Sequence, residues 1–338
     1  MNLNISEGLE EGSLTIKVLT SNSVISTLLT DEKFQGKVIQ PQTNGSKLLA
    51  EHGLAILIEI NNNNEKQSFL LDTGGPKSTI INNAKSLGVE LSEIDKLVLS
   101  HGHVDHYGGF MEVLPKLKEG CEVILSPHAY EQNMILIPKA DNDFYTPEDL
   151  SEKYRDLRKQ DAFILEMKLP PLRKALVNKL VEENNLKLIE IDEPITLTPG
   201  LITSGPIEIF DKDEISKGFY LMKGRKEFLE NTFRDEIALL INIKNEGLVI
   251  ISGCGHAGIV NTIKHAKKIT GIDTIYAVIG GFHKEWEAAE DIKTSIQYIM
   301  DLNPEIVCGM HCTGFEFNKY ISDYDPYVNG IAGTEFHL

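Results

Sequence analysis

Cysteine is scarce: Cys121, Cys254, Cys308 and Cys312 are the only four in 338 residues. They form neither a disulfide framework nor a zinc knuckle, because Cys308 and Cys312 are not a Cys-x-x-Cys pair, and they suit a reducing compartment. Long apolar runs are missing too. The stretch from Gly53 to Ile58 falls far short of the ~20 residues that span a bilayer. Met1 to Glu7 lacks the basic start and apolar stretch of a signal peptide, so a cytoplasmic location is expected. Positive charge is in short supply, with 33 Lys and Arg against 50 Asp and Glu for a net charge of -17. Such a field repels polyanions, and the nearest approach to a basic patch, Arg173, Lys174 and Lys179, is sparse. Nucleic acid and membrane are therefore not expected as partners. A small molecule is.

What is present is an ordinary globular composition, 41% hydrophobic and 25% charged, enough for a sizeable core. The length suits one large α/β domain with an elaboration, and residues 1–338 are read as that single domain. Strands are expected over Leu14 to Leu19, Gly53 to Ile60 and Ser68 to Leu71. A hairpin turn at Asn61 to Asn64 joins the last two, since Asn tolerates left-handed backbone angles. After Pro76, the residues Ile80, Ile81, Ala84 and Leu87 repeat as one helical face that Gly88 ends. Lys96 to Leu99 and Glu122 to Leu125 read as short strands.

Between about 128 and 190 charge and proline rise and the strand signal fades, which predicts a helical insertion. Its clearest helix runs from Pro171 to about Glu183, and the segment is read as a lid or an oligomer contact. Strand and helix alternation then returns. Leu248 to Ile251, Ile275 to Ile279 and Ile306-Val307 read as strands, separated by helices with Ile259, Val260, Ile263 and Ala266, then Ala289, Ile292, Ile296 and Ile299, facing inward.

Chemistry collects where these strands end. His101, His103, Asp105 and His106 lie within six residues, directly after a strand and flanked by Gly102, Gly108 and Gly109. Imidazoles two apart on an extended segment point the same way, so His101 and His103 are expected to share one metal while Asp105 and His106 turn toward a second. Asp72, before Thr73 and Gly74, is expected to hydrogen-bond a ligand histidine and hold the loop; capping the following helix is the alternative. His256, behind Gly253, Cys254 and Gly255, and His311, after Ile306-Val307, are further candidate ligands. His283, after Gly280 and Gly281, is a candidate for ligation, catalysis or anion binding, and His52 for lining the pocket. Cys254 offers a soft donor, but reads more readily as a small residue packed under the turn beside the substrate. His128, His265 and His337 look like surface residues.

The segment from Leu70 through Gly109, with its His-x-His-x-Asp-His, resembles the metallo-β-lactamase superfamily. That resemblance implies an αββα sandwich with the segment 128–190 as a helical insertion, and one or two divalent ions where the two sheets meet. Zinc is foremost, with manganese, iron or magnesium as alternatives. The ligand set would be His101, His103, Asp105, His106, His256 and His311. His103 in the second motif position resembles the zinc hydrolase branch more than the flavodiiron branch, so flavin is not expected. The stretches Leu48 to Gly53, Ser252 to Ile259, Gly280 to His283 and Met310 to Gly314 are similar to a narrower group that includes the dihydropterin ribofuranosylaminobenzene 5'-phosphate synthases of methanopterin biosynthesis. One departure stands out. Typical hydrolases of the superfamily have a further ligand His and a bridging Asp, whereas Leu201 to Gly205 and Ser252 to Cys254 supply neither, leaving His256 as the replacement.

Two reactions are implied by the resemblance. In the synthase reading a pterin-methyl group is transferred with release of diphosphate, helped by the metal as Lewis acid. In the hydrolase reading a phosphodiester, ester or lactone is attacked by hydroxide on the metal, oriented by Asp105. Both use the same ligands and an anionic or phosphorylated small substrate. A nuclease is disfavoured by the charge, and a binding protein without catalysis by the intact main motif.

Overall fold

Alternation along the strands decides which way each sheet faces. Ile56, Ile58 and Ile60 pack into one buried cluster while Ala55 and Leu57, between them, pack into another, as side chains two apart share a face. The computed structural model describes residues 3–25, 31–41, 47–62, 65–139, 144–224 and 227–338. Among them, one sheet runs in the order Val38–Ile39, Glu335–His337, Leu14–Thr20, Ala55–Asn62, Glu65–Leu71, Lys96–Val98, Glu122–Leu125, Lys187–Glu190. Its first five strands are antiparallel neighbours and its last four are parallel. A second sheet orders Thr196–Thr198, Leu201–Thr203, Leu239–Ile243, Gly247–Ser252, Ile275–Gly280, Ile306–Gly309, and its last three strands are parallel.

The two sheets pack face to face through Ile16, Ile58, Phe69 and Val98 on one side and Ile241, Val249, Ile251 and Ile279 on the other. The outer face of the first sheet is covered by the helices Thr79–Ser86 and Lys174–Glu183, through Ile80, Val177 and Leu180. The outer face of the second is covered by Ile259–Thr270 and Ala289–Asp301, through Ile259, Ile263, Ile292 and Ile296. This is the αββα sandwich. The hairpin pairs Asn62 with Glu65, and the residues that close it, Asn63 and Asn64, lie outside the described residues.

The segment 128–190 departs from the helical insertion expected of it. It holds the helices Pro147–Lys159 and Lys174–Glu183, but also the strands Asn133–Pro138, Phe163–Lys168 and Lys187–Glu190. The first two join Phe219–Lys223 and Glu227–Glu230 in a third, antiparallel sheet with its own small cluster of Met134, Leu136, Leu150, Phe163, Tyr220 and Phe228. The cause is partner distance and exposure. Phe163–Lys168 is mostly exposed, so charge fills its pattern, and Asn133–Pro138 pairs with a strand some eighty residues later.

Candidate metal centre

Every chemically loaded loop leaves the same edge of the sandwich, because the strands before Asp72, Ser100, Cys254, His283 and His311 are parallel within their sheets. Local geometry then packs the loops onto one another. A Cβ on Gly102 would stand 2.0 Å from the carbonyl oxygen of Ala129, and one on Gly253 2.1 Å from Ser100 Oγ, so glycine is required at both contacts.

Four imidazoles are aimed by hydrogen bonds at Nδ1. His106 Nδ1 donates to Asp72 Oδ2 at 2.6 Å, and His311 Nδ1 donates to Asn22 Oδ1 at 2.9 Å. Ser100 Oγ donates to Asp72 Oδ2 at 2.7 Å and faces His101 Nδ1 at 2.9 Å, from which it accepts. His256 Nδ1 faces Ser216 Oγ at 3.3 Å. The bonds at His106, His311 and His101 place the ring proton on Nδ1 and leave Nε2 as a lone pair, the tautomer a metal needs, and the Ser216 contact is compatible with the same tautomer in His256. Asp72 also accepts from Ser100 N at 2.7 Å, and its backbone lies at φ 62°.

The free Nε2 atoms meet in two groups. Asp105, His106, Cys254 and His311 bring their donor atoms within 4.8 Å of one another, as do His101, Cys254 and His256. Asp105 Oδ2 is 3.1 Å from His311 Nε2 and 3.6 Å from His106 Nε2. Nε2 of His101 and of His256 is buried with no hydrogen-bond partner, which costs about 1–3 kcal/mol per atom unless something else binds it. Imidazole lone pairs with one carboxylate and one sulfur form a donor set that fits a divalent metal.

Burial opposes charge on these rings, and the neighbouring histidines add to it. His103 and His311 are lowered to about 4 and His283 to about 3, while His101 and His256 lie well below the ordinary histidine range. His106 goes the other way. Burial would lower it, but Asp72 and Asp105 beside it prevail and raise it. Burial likewise opposes charge on Asp105, and His106 and His311 outweigh that, holding the carboxyl well below its usual range.

Other expected site residues fall at varied distances from this centre. His103 belongs to neither group, and His101 is grouped with Cys254 and His256. Its ring lies 4.5 Å from that of His101 and 4.8 Å from that of His256, stacked on Phe219 from the third sheet. Cys254, expected at the substrate, is 1% exposed and sits among the candidate ligands, its Sγ 3.1 Å from His106 Nε2. His52 is at the mouth, its Nε2 3.4 Å from Asp105 Oδ2. His283, at φ 41°, lies with its ring 4.1 Å from that of His256 and lines a cleft with Phe144, Ser216, Lys217 and Trp286. His265 is no surface residue, being buried with Nε2 donating to the Ser204 carbonyl.

Sequence reasoning missed Asn22, Ser100 and Ser216, and also a buried acidic pair. Asp235 accepts from Gly102 N at 2.8 Å, and Glu236 accepts from His256 N and Ala257 N at 2.8 and 2.6 Å, tying both ligand loops to one segment. Burial pushes Asp235 up to about 6 and Glu236 up to about 7 despite those bonds. Only the adjacency of two acids before the apolar strand Leu239–Ile243 could have drawn notice.

An αββα sandwich whose sheet edge gathers imidazoles and a carboxylate defines a metalloenzyme of the metallo-β-lactamase type, and the family model described as the metallo-beta-lactamase superfamily matches residues 49–120. The chain belongs to that superfamily, whose members generally bind divalent metals. It is similar to the 7,8-dihydropterin-6-methyl-4-(beta-D-ribofuranosyl)-aminobenzene-5'-phosphate synthase of Methanocaldococcus jannaschii, with 32% identity over 288 residues, covering 82% of this chain and 87% of that protein. An uncharacterized protein of the same organism is 26% identical over 297 residues, 88% of this chain and 97% of its own length. Among solved structures, Tm1679, a metal-dependent hydrolase of the beta-lactamase superfamily, matches with a TM-score of 0.67 at 23% identity, covering 96% of this chain and 99% of that one. This last likeness speaks for the fold.

Proposed function

We propose that the protein is a zinc-dependent transferase that joins a pterin-methyl diphosphate to an aminobenzene ribotide. The observation that carries this reading is the 32% identity to the methanopterin-pathway synthase across 82% of the chain. In the reaction a bond forms between the pterin-borne methylene carbon and the aminobenzene component. The carbon–oxygen bond to diphosphate breaks, and the aminobenzene component gives up a proton.

Asp105, His106 and His311 on one side and His101 and His256 on the other would hold the metal, with His103 beside them. Bound there, a divalent ion supplies Lewis acidity to the departing diphosphate. The protein's own groups do the rest. The cleft at His283 receives the organic portion of the substrates, with Trp286 and Phe144 offering flat apolar faces and Lys217 a cation. The exposed His52, its Nε2 3.4 Å from Asp105 Oδ2, places an imidazole as proton acceptor at the solvent side of the site. Burial of the histidines that line the centre keeps competing water scarce, as an alkyl transfer requires.

The test is to supply zinc-loaded protein with a pterin-methyl diphosphate, with and without the aminobenzene ribotide, beside a phosphodiester and a lactone. Diphosphate release that depends on the ribotide, with the coupled product seen by mass spectrometry, is expected. Release without the ribotide, or turnover of the phosphodiester or lactone alone, would make the chain a hydrolase. Metal analysis of the protein as purified tests the choice of zinc.

A further inference from the structure

Among the described residues, Cys254 alone belongs to both ligand groups. The turn that carries it is pressed against the main loop: Gly253 packs directly on Ser100, which brings Cys254 Sγ to 3.1 Å from His106 Nε2. Among the described residues no carboxylate belongs to both groups. Asp105 serves one group only. Both oxygens of Asp72 accept from Ser100 and His106, and both oxygens of Glu236 accept from backbone N–H groups. Two buried, unpartnered nitrogens, Nε2 of His101 and of His256, complete the group on the far side of the sulfur. The second thiol is placed to support the first. Cys312 Sγ lies 3.1 Å from Cys254 Sγ and 3.4 Å from the Cys254 carbonyl oxygen, and both residues are buried.

We propose that Cys254 is a thiolate ligand shared by two metal positions, with Cys312 as a positioning residue that donates its S–H to the shared sulfur. This rests on reading the loops as a metal centre, and not on the reaction assigned to it. On binding, the Cys254 S–H bond breaks, metal–sulfur bonds form, and the proton leaves to solvent, with no change of oxidation state. A soft sulfur at the midpoint biases the site toward zinc, cobalt(II) and iron(II) over magnesium.

Cobalt(II) is the probe. The full-length protein is stripped with chelator, reloaded with cobalt(II), and followed by absorption, metal analysis and electron paramagnetic resonance. The wild type should take up two ions per chain, show a thiolate-to-cobalt charge-transfer band in the near ultraviolet, and lose resonance intensity at the second equivalent as the two ions couple through sulfur. Cys254→Ser should lose the band and bind one ion at most, Cys254→Asp should hold two ions without the band, and Cys312→Ala should keep two ions with the band shifted. A wild type without the band overturns the proposal even if a variant misfolds. So does a band that persists in Cys254→Ser, or a band saturating with one ion. Protein that shows the band but makes no coupled product keeps this inference and loses only the reaction proposed above.

Discussion

Replacing Asp72 by Asn changes one atom and one charge, and the surrounding bonds dictate the outcome. The side chain is fully buried and the backbone sits at φ 62°, where Asn is as much at ease as Asp, so the exchange adds no strain. The amide oxygen can keep the bond from Ser100 N. The amide nitrogen then faces Ser100 Oγ and His106 Nδ1, both of which donate to Asp72 in the wild type. A donor meets two donors. His106 can answer only by moving its proton to Nε2, the atom that faces Cys254 Sγ and His311 Nε2, and a protonated Nε2 binds no metal. Ser100 turns its hydrogen toward His101 Nδ1, and His101 is driven to the same wrong tautomer. Loss of such an outer partner ordinarily weakens metal binding about 10–100-fold, and because one carboxylate steers two rings here the upper figure is expected. The stripped protein should also lose roughly 1.5–3 kcal/mol with the charge-assisted bonds. Zinc affinity by competition with a chromophoric chelator, and urea unfolding of stripped protein, measure the two effects. Wild-type affinity in Asp72→Asn would refute the reasoning and leave Asp72 as a turn residue only.

Asn22→Ala removes the acceptor for His311 Nδ1, an oxygen that also accepts from Gly53 N, so zinc affinity should fall about tenfold and the stripped protein should lose about 1 kcal/mol of urea stability; unchanged zinc affinity beside that loss would contradict a role in aiming the ring. Gly102→Ala drives a methyl group into the Ala129 carbonyl and should cost at least the roughly 1–3 kcal/mol of ordinary overpacking, read as a lowered urea midpoint. Stripped protein should lose stability as pH falls from about 6.5 toward 4. Over that window the unfolded chain takes up protons that the folded state refuses at His103 and His311 (about 4) and His283 (about 3). Each ring contributes on the order of 2–4 kcal/mol. Asp235 and Glu236, raised to about 6 and 7, act in the opposite sense over much of that window, because the folded state keeps protons that the unfolded chain releases as pH rises. Glu287, pushed up to about 7 by burial, acts with them, but three carboxyls do not outweigh five rings once the likewise lowered His101 and His256 are counted, so a urea midpoint that rises on acidification would overturn the ordering.

The sandwich was legible because its signals are local. Strands such as Gly247–Ser252 are continuous apolar runs, helices such as Ile259–Thr270 repeat one face, and the donors sit within a few residues of a strand end. The third sheet was not, since Phe163–Lys168 is mostly exposed and the partner of Asn133–Pro138 lies far along the chain. The metal centre divides along the same line. Which residues carry lone pairs can be read from His101 to His106, His256 and His311, and Asp72 could be read as the partner of one of them, but the aim of the other rings is set by Asn22, Ser100 and Ser216, single polar residues with nothing in the sequence around them to mark what they touch. Cys254 shows the consequence. In sequence it is a small residue between two glycines, indistinguishable from packing. In space its sulfur stands between two sets of aimed imidazoles, so the character of the site depends on an atom whose importance exists only once five separated loops have met.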